Sequence, residues 1–382
     1  MTGLLDGILV ADFSRVLAGP LATSTMADLG ATVIKVERPG VGDDTRHWGP
    51  PWTDTTSAYF DAANRSKESI ELDLDDPTDH ALAAELMATA DVVVENFRPG
   101  ALAAKGLGYD DAAAVNPGVV YCSISGFGSA EGAALPGYDF LVQAVGGLMS
   151  ITGPEDSEPS KVGVALVDVL TSKDAVIGIL AALNERHGSG LGQHVEVNLL
   201  SSLLGSLANQ ASSYLATGES PGRMGNRHPS IAPYETLRCG DGIIAVCCGN
   251  DGQFARLAGA IGAPELSGDP RFARNADRVA HRDDLIPLLE SVLVSEGAAH
   301  WIKALTDVGL PAGAVGDIAS AFGLAADLGL DPRVDVGPDA IDQVRHPITY
   351  SRTPVDNYRR PPRLGEHNDT VRARYTQKTR NS

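Results

Sequence analysis

Short Val- and Ile-rich runs alternate with helical segments along the first third of this chain, and that alternation narrows its possible folds more than any other feature. The runs are ILVADF, TVIKVE, SIELDL, DVVVEN and VVYCSIS. Between them lie PLATSTMADLG and DPTDHALAAELMATA, with Pro20 and Pro77 near their first turns, where a missing N–H costs nothing. Consecutive parallel strands need a crossover, and a helix supplies it. The expected fold is therefore α/β: a doubly wound, mostly parallel, Rossmann-like sheet with helices on both faces.

From Tyr138 the pattern turns helical, in YDFLVQAVGGLM and then VLTSKDAVIGILAALNERHG, which Gly188 or Gly190 would close as a C-cap. A strand, QHVEVNLL, and further helix follow. The Gly- and Pro-rich stretch PGRMGNRHPSIAP reads as a crossing into a second unit. There ETLRCGDGIIAVCC reads as a hairpin turned at Gly240 to Gly242, with amphipathic helices in QFARLAGAIG, DDLIPLLESVLV and HWIKALTDVG. The expected division is a large α/β domain over 1–200, a linker over 201–225, a smaller α+β domain over 226–320, and a return to the large domain over 321–382, ending in a frayed TQKTRNS.

Composition excludes several function classes. A net charge of -19 argues against nucleic acid, whose binding needs a positive field. An anionic ligand would need a local basic patch, for which Arg15, Lys35, Arg38, Arg46, Arg65, Lys67, Arg98 and Lys105 provide material; solvated surface charge is the alternative for each taken singly. The four cysteines form no C-x-x-C pair and the histidines no H-x-x-x-H, so neither a disulfide framework nor a metal site is expected. The start lacks a basic segment followed by a long apolar one, and AVIGILAAL is too short to span a bilayer, so a cytoplasmic protein without membrane association is expected.

The first βα turn, SRVLAGP, stands where a dinucleotide-binding fold has G-x-G-x-x-G and lacks that spacing, which weighs against NAD. With DLGATVIKVERPG, GDDTR, NRSK, LDL, VENFRPG, NPGVVYCSISGFG, PGYD, GVALVD, ILAAL and GLGQHVEV, it resembles consecutive signatures of the family III CoA-transferases. The resemblance runs from about Leu4 to Leu200 and resumes in NADRVAHR, GLPAGAV and RLGEHN.

The resemblance implies an enzyme that moves coenzyme A between carboxylic acids. CoA would be a substrate, no cofactor would be permanently bound, and the assembly would be an interlocked homodimer. It assigns Val16, Arg38, Leu72, Asp73, Leu74, Asp75, Asn96, Phe97 and Arg98 to the nucleotide and pantetheine groove. Some members carry an Arg where this chain has Ala104, and Lys105 could substitute as a point charge. Chemically, Arg38 and Arg98 each follow an apolar strand and precede proline, where a rigid turn would hold a guanidinium for phosphate.

Asp168, closing KVGVALVD, is an N-cap by residue type. By resemblance it is the carboxylate that becomes acylated. The family's racemases of 2-methylacyl-CoA have His where Tyr138 stands, and a phenol, with an ordinary pKa of about 10, is a poor base. Tyr138 either supports the site or packs on the sheet. Asp139 either caps the helix FLVQAVGG or positions Asp168 as a neighbouring carboxylate. Cys122, Cys247 and Cys248 read as inert thiols. His228 and Arg227 either meet an acceptor carboxylate or form a plain loop, since the tetraglycine loop of oxalate-type transferases is absent. A racemase and a non-catalytic CoA-binding protein remain the alternatives.

Overall fold

The computed structural model describes residues Gly3 to Thr376, so of TQKTRNS only Thr376 falls within it. Six strands form one sheet: β1 (Leu9–Asp12), β2 (Thr32–Glu37), β3 (Glu68–Glu71), β4 (Val92–Glu95), β5 (Val120–Ser125) and β6 (His194–Asn198). Their spatial order is β3-β2-β1-β4-β5-β6, and every neighbouring pair is parallel. Successive residues feed opposite cores. Val10, Val33, Val92, Val94 and Val120 face one, and Ala11, Ile34, Val93 and Tyr121 face the other. Burial on both faces explains why these strands read as continuous apolar runs. Each such Val contributes about 1.5–3 kcal/mol of burial.

The first core is closed by α1 (Ala18–Asp28), α6 (Leu166–Ser189) and α7 (Leu199–Ser206). The second is closed by α3 (Pro77–Thr89) and α4 (Tyr109–Val115). Three helices complete this part of the chain: α2 (Ala58–Asn64), α5 (Asp139–Val145) and α8 (Ala208–Thr217). Helix α3 starts as read, with Pro77 in its first turn and the Asp76 carboxylate accepting the N–H groups of Thr78 (2.8 Å) and Asp79 (3.1 Å). Such a cap contributes about 1 kcal/mol. Of the two candidate glycines, Gly190 caps α6, at φ 76°, where a side chain would be strained.

Strand β3 is an edge, and the C-terminal segment covers it. Ser66 N–H donates to the Arg359 carbonyl (2.9 Å), Ser69 N–H to His367 Nδ1 (3.1 Å) and Glu71 N–H to Asn368 Oδ1 (2.8 Å). A tail that reads as irregular thus closes with a helix (Asn368–Thr376) whose Val371 and Tyr375 enter the second core.

Two compact units result. One holds the chain up to Leu148, Lys161–Gly218 and the part from Asp331 on; the other holds Met149–Ser160 and Glu219–Leu330. The second unit carries the hairpin as read, β7 (Tyr234–Cys239) and β8 (Gly242–Cys247) with Cys239 opposite Gly242, plus β9 (Ala312–Ala314), all antiparallel. Its core joins Leu237, Ile244 and Val246 to α9 (Asp251–Ala260), α11 (Arg282–Leu293) and α12 (Ala298–Asp307), with short α10 (Asn275–Ala280) between. Helix α13 (Ile318–Asp327), unanticipated in the sequence, buries none of its residues. No helix among the described residues is long and apolar enough to cross a membrane.

Candidate active site

Strand order reverses between β1 and β4, and in such sheets ligands bind at the carboxyl edge beside that switch. The two strand ends are tied across it: Asn96 Oδ1 accepts the Arg15 N–H (2.9 Å) and its amide donates to the Arg15 carbonyl (2.7 Å). The turn after β1 needs no glycine because its strain is held elsewhere. Val16 adopts φ 72°, costly for a β-branched residue, and its N–H reaches both oxygens of Asp43 at 3.2 Å. Asp43 is buried and also pairs with Lys35 (2.9 Å). Burial opposes its charge, but Lys35 and Thr45 hold its carboxyl down at about 2. Lys67 similarly pairs with Asp12 (3.0 Å) beneath the turn, its ammonium brought down to about 8 mainly by burial.

At this edge lies a cavity of about 200 Å³ lined by Arg15, Val16, Asn96, Arg98, Tyr138 and Asp168, among others. The first turn of α1, Leu17 and Ala18, also lines it, with no side chain capping its N–H groups. Free helix N–H groups and two guanidiniums suit an anion. A second cavity of about 460 Å³ opens on the other side of Val16, Tyr138 and Asp168, which line both. Its further wall is aromatic and apolar, with Trp48, Tyr59, Phe140 and Val164, and its one cation among the described residues is Lys161.

Asp168 is not an N-cap. Helix α6 begins at Leu166 after Ala165, placing Asp168 in the third helical position. The capping carboxylate comes from another element: Asp139 Oδ1 accepts the N–H groups of Val167 (2.7 Å) and Asp168 (3.3 Å). Nor does Asp139 cap its own helix, since it is the first residue of α5 and Tyr138 is the cap position. The Asp168 carboxyl takes no hydrogen bond from any described residue. Burial, and then the charge of Asp139, push it up to about 7. The Tyr59 phenol is raised as well, first by burial and then by Asp168 and Asp139.

Most of the other expected site residues lie outside both cavities. Arg38 is exposed at the end of β2, pairing with Asp44 (2.6 Å), which also holds Arg15 (3.3 Å). Leu72 is buried in the second core and Leu74 packs against it, so neither side chain faces a groove. Asp73 accepts the Asp75 N–H (3.0 Å), and Asp75 pairs with Lys105. Phe97 lines the smaller cavity beneath the Arg15 guanidinium, 5.8 Å from its ring centre. Arg227 is engaged with Asp283 (3.2 Å) and Glu235 (3.6 Å) around a separate cavity of about 740 Å³ in the second unit. His228 accepts the Ser230 N–H (3.1 Å) and lies against Tyr234. Cys122 is buried, its thiol pushed up to about 12, and burial raises Cys248 to about 11.

Sequence reasoning missed Trp48, Tyr59, Asp43 and Lys161, and placed Arg15 only among the candidates for a basic patch. Arg15 had a signal, its place in the first βα turn. Tyr59 had none, because α2 spans seven residues and shows no hydrophobic period.

Strand order and site together put the protein in the doubly wound α/β class, with an uncommitted carboxyl at its switch point. The family model of CoA-transferase family III matches residues 5–368. A succinate–glutarate CoA-transferase of Agrobacterium fabrum is 42% identical over 379 residues, covering 97% of this chain and 95% of that protein. The mouse succinyl-CoA:glutarate CoA-transferase is 39% identical over 95% of this chain and 84% of its own. A crystal structure of a CAIB/BAIF family protein from Brucella suis superposes with a TM-score of 0.86 at 44% identity, covering 98% of this chain and 100% of that one. The chain belongs to CoA-transferase family III. It is a CoA-transferase, moving CoA between acyl-CoA and carboxylic acids, and the non-catalytic alternative loses its footing.

Proposed function

We propose that the enzyme carries CoA from an acyl-CoA to a small dicarboxylic acid through covalent intermediates on Asp168. The observation that carries this is the Asp168 carboxyl, free of protein hydrogen bonds on the wall shared by the two cavities. An Asp168 oxygen attacks the thioester carbonyl and expels CoA thiolate, leaving a mixed anhydride. The thiolate attacks the aspartyl carbonyl of that anhydride, releasing the donor carboxylate and leaving an aspartyl–CoA thioester. The acceptor carboxylate attacks this thioester, again expelling thiolate. Attack of the thiolate on the acceptor carbonyl yields the new acyl-CoA and restores Asp168. No water is consumed, which fits a nucleophile placed between cavities.

CoA would follow the carboxyl edge of the sheet. Val16, Asn96, Phe97 and Arg98 would take the pantetheine end, joined by Arg15. Arg38, the Leu72–Asp75 backbone and Lys105 would take the nucleotide end, with phosphate displacing Asp44 and Asp75 from their cations. The aromatic cavity would take the acid, and its lone cation Lys161 would pair with a second carboxylate. The relatives named for succinate and glutarate support that substrate class. Tyr138 is a lining residue on this reading, and no histidine among the described residues lines either cavity to serve a racemase. A homodimer, interlocked by family resemblance, belongs to this reading and is checked by solution mass.

The test is direct. Incubation with succinyl-CoA, followed by hydroxylamine and peptide mapping, should mark Asp168. Label elsewhere, or full activity in Asp168→Ala, would remove the mechanism.

A further inference from the structure

Gln143 lies one helical turn after Asp139 on α5 and is fully buried. Both ends of its amide are used. Nε2 donates to Asp139 Oδ2 (2.7 Å) and also approaches the Val164 carbonyl (3.4 Å), while Oε1 accepts the Val162 N–H (2.9 Å). These partners fix the amide orientation, because a flipped amide would set its oxygen against the Asp139 carboxylate. Val162 and Val164 belong to the loop that leads into α6. One side chain therefore grips both the loop that delivers Asp168 and the carboxylate beside it.

We infer that Gln143 is a positioning residue for the nucleophile: it fixes the Asp139 carboxyl across the start of α6 and so holds it beside Asp168. With Gln143, Asp139 accepts three hydrogen bonds, which lock its carboxyl in one orientation. Two of those donors are N–H groups in the first turn of α6, the groups whose partial positive charge would otherwise stabilise an ionised Asp168. Asp139 takes them, and Asp168 is left without donors. Every covalent form of Asp168, anhydride or thioester, is uncharged at that group, so acylation relieves the repulsion. A carboxylate denied donors is also the better nucleophile. The inference rests on Asp168 being the acylated group.

The other titratable and charged groups facing Asp168 are Tyr59 from α2, Tyr138 and Lys161 from the adjoining loops, and Arg15 and Arg98 across the smaller cavity. Among all of these, Asp139 is the charge that raises the Asp168 carboxyl after burial itself.

The pH dependence of kcat/KM for succinyl-CoA tests this, since it reports groups of the free enzyme. The native enzyme should lose activity below a midpoint near 7. Gln143→Met keeps bulk and removes the polar contacts, so the Asp139 carboxyl is no longer held at the start of α6 and the N–H groups there become free for Asp168. The acid limb should then move down by about one unit or more, with kcat reduced about tenfold. Gln143→Glu keeps the shape, and its protonated form can still donate to Asp139. Its activity relative to native should rise toward one as pH falls and collapse in alkali, where two carboxylates meet. A uniform loss in both variants with the native midpoint would reduce Gln143 to a packing residue and overturn the inference. If Gln143→Met does not fold, the Gln143→Glu ratio decides alone, and a ratio flat with pH overturns it. Failure of the native enzyme to form an Asp168 adduct would instead overturn the underlying mechanism.

Discussion

Asp168→Asn should make the enzyme inactive and more stable, with a pH signature fixed by the site. A carboxyl moved from its ordinary 3.8 to about 7 costs about 4 kcal/mol of folding free energy once ionised. Unfolded, Asp168 loses its proton near its ordinary value; folded, it keeps the proton until near 7. Between these values the native state binds more protons than the unfolded one, so stability falls as pH rises from about 4 to 7 and then levels off. Asparagine does not titrate and escapes the penalty. The variant should therefore match the native enzyme near pH 4 and exceed it at pH 8 by up to about 4 kcal/mol, several degrees in Tm. Scanning calorimetry of both proteins at half-unit steps reads the difference directly and cancels background titrations. A difference that does not change with pH, or a variant less stable than native at pH 8, would refute the burial and like-charge account of Asp168.

Asp139→Asn can still accept the Val167 and Asp168 N–H groups but loses its charge and the bond from Gln143, so turnover should fall at least about tenfold with a smaller loss of Tm than in Asp139→Ala. Asp139→Ala forfeits all three bonds and should lose at least about 1–3 kcal/mol of stability; normal turnover in Asn with loss of stability in Ala would leave only the cap. Arg38→Ala should raise KM for CoA esters about ten- to hundredfold while leaving that for the carboxylate, and the reverse pattern would move Arg38 to the acid. Lys161→Met should raise KM for succinate or glutarate about tenfold and spare a monocarboxylate such as butyrate. Equal losses for both acids would deny Lys161 a role in recognising the second carboxylate.

Strands β1, β2, β4 and β5 were legible because each is buried on both faces and so leaves a largely apolar run, as in Val92 to Val94. Val16, Asn96 and Asp168 were assigned through the family resemblance, and local pattern set them at strand ends and a helix start; the strand order that makes this edge a switch point was not read from the sequence. Nor was the cap. Residue type at Asp168 says N-cap, and nothing nearby reveals that a carboxylate 29 residues earlier takes the amides first. Arg38 reads as a free cation because its partner Asp44 lies in a turn without periodicity. Tyr59 and Trp48 reach the site through packing of short elements, and that packing depends on partners distant in sequence, such as the Pro362 carbonyl that accepts from Arg46 (3.2 Å). The C-terminal helix, with few apolar residues, is recognisable only by the strand it covers.

That cover sets an order of events during synthesis. All six strands have been made by Asn198, but the carbonyl and side chains that close the free edge of β3 arrive only with Arg359, His367 and Asn368, roughly 160 residues later. At about 5–20 residues per second, a nascent chain would hold a complete sheet with a bare, pairing-competent edge for on the order of ten to thirty seconds. Ser69 and Glu71, whose N–H groups await those partners, mark where a chaperone or a neighbouring chain would meet it. A prematurely terminated chain would keep that edge for good, and should be lost to aggregation with every residue of its candidate site in place.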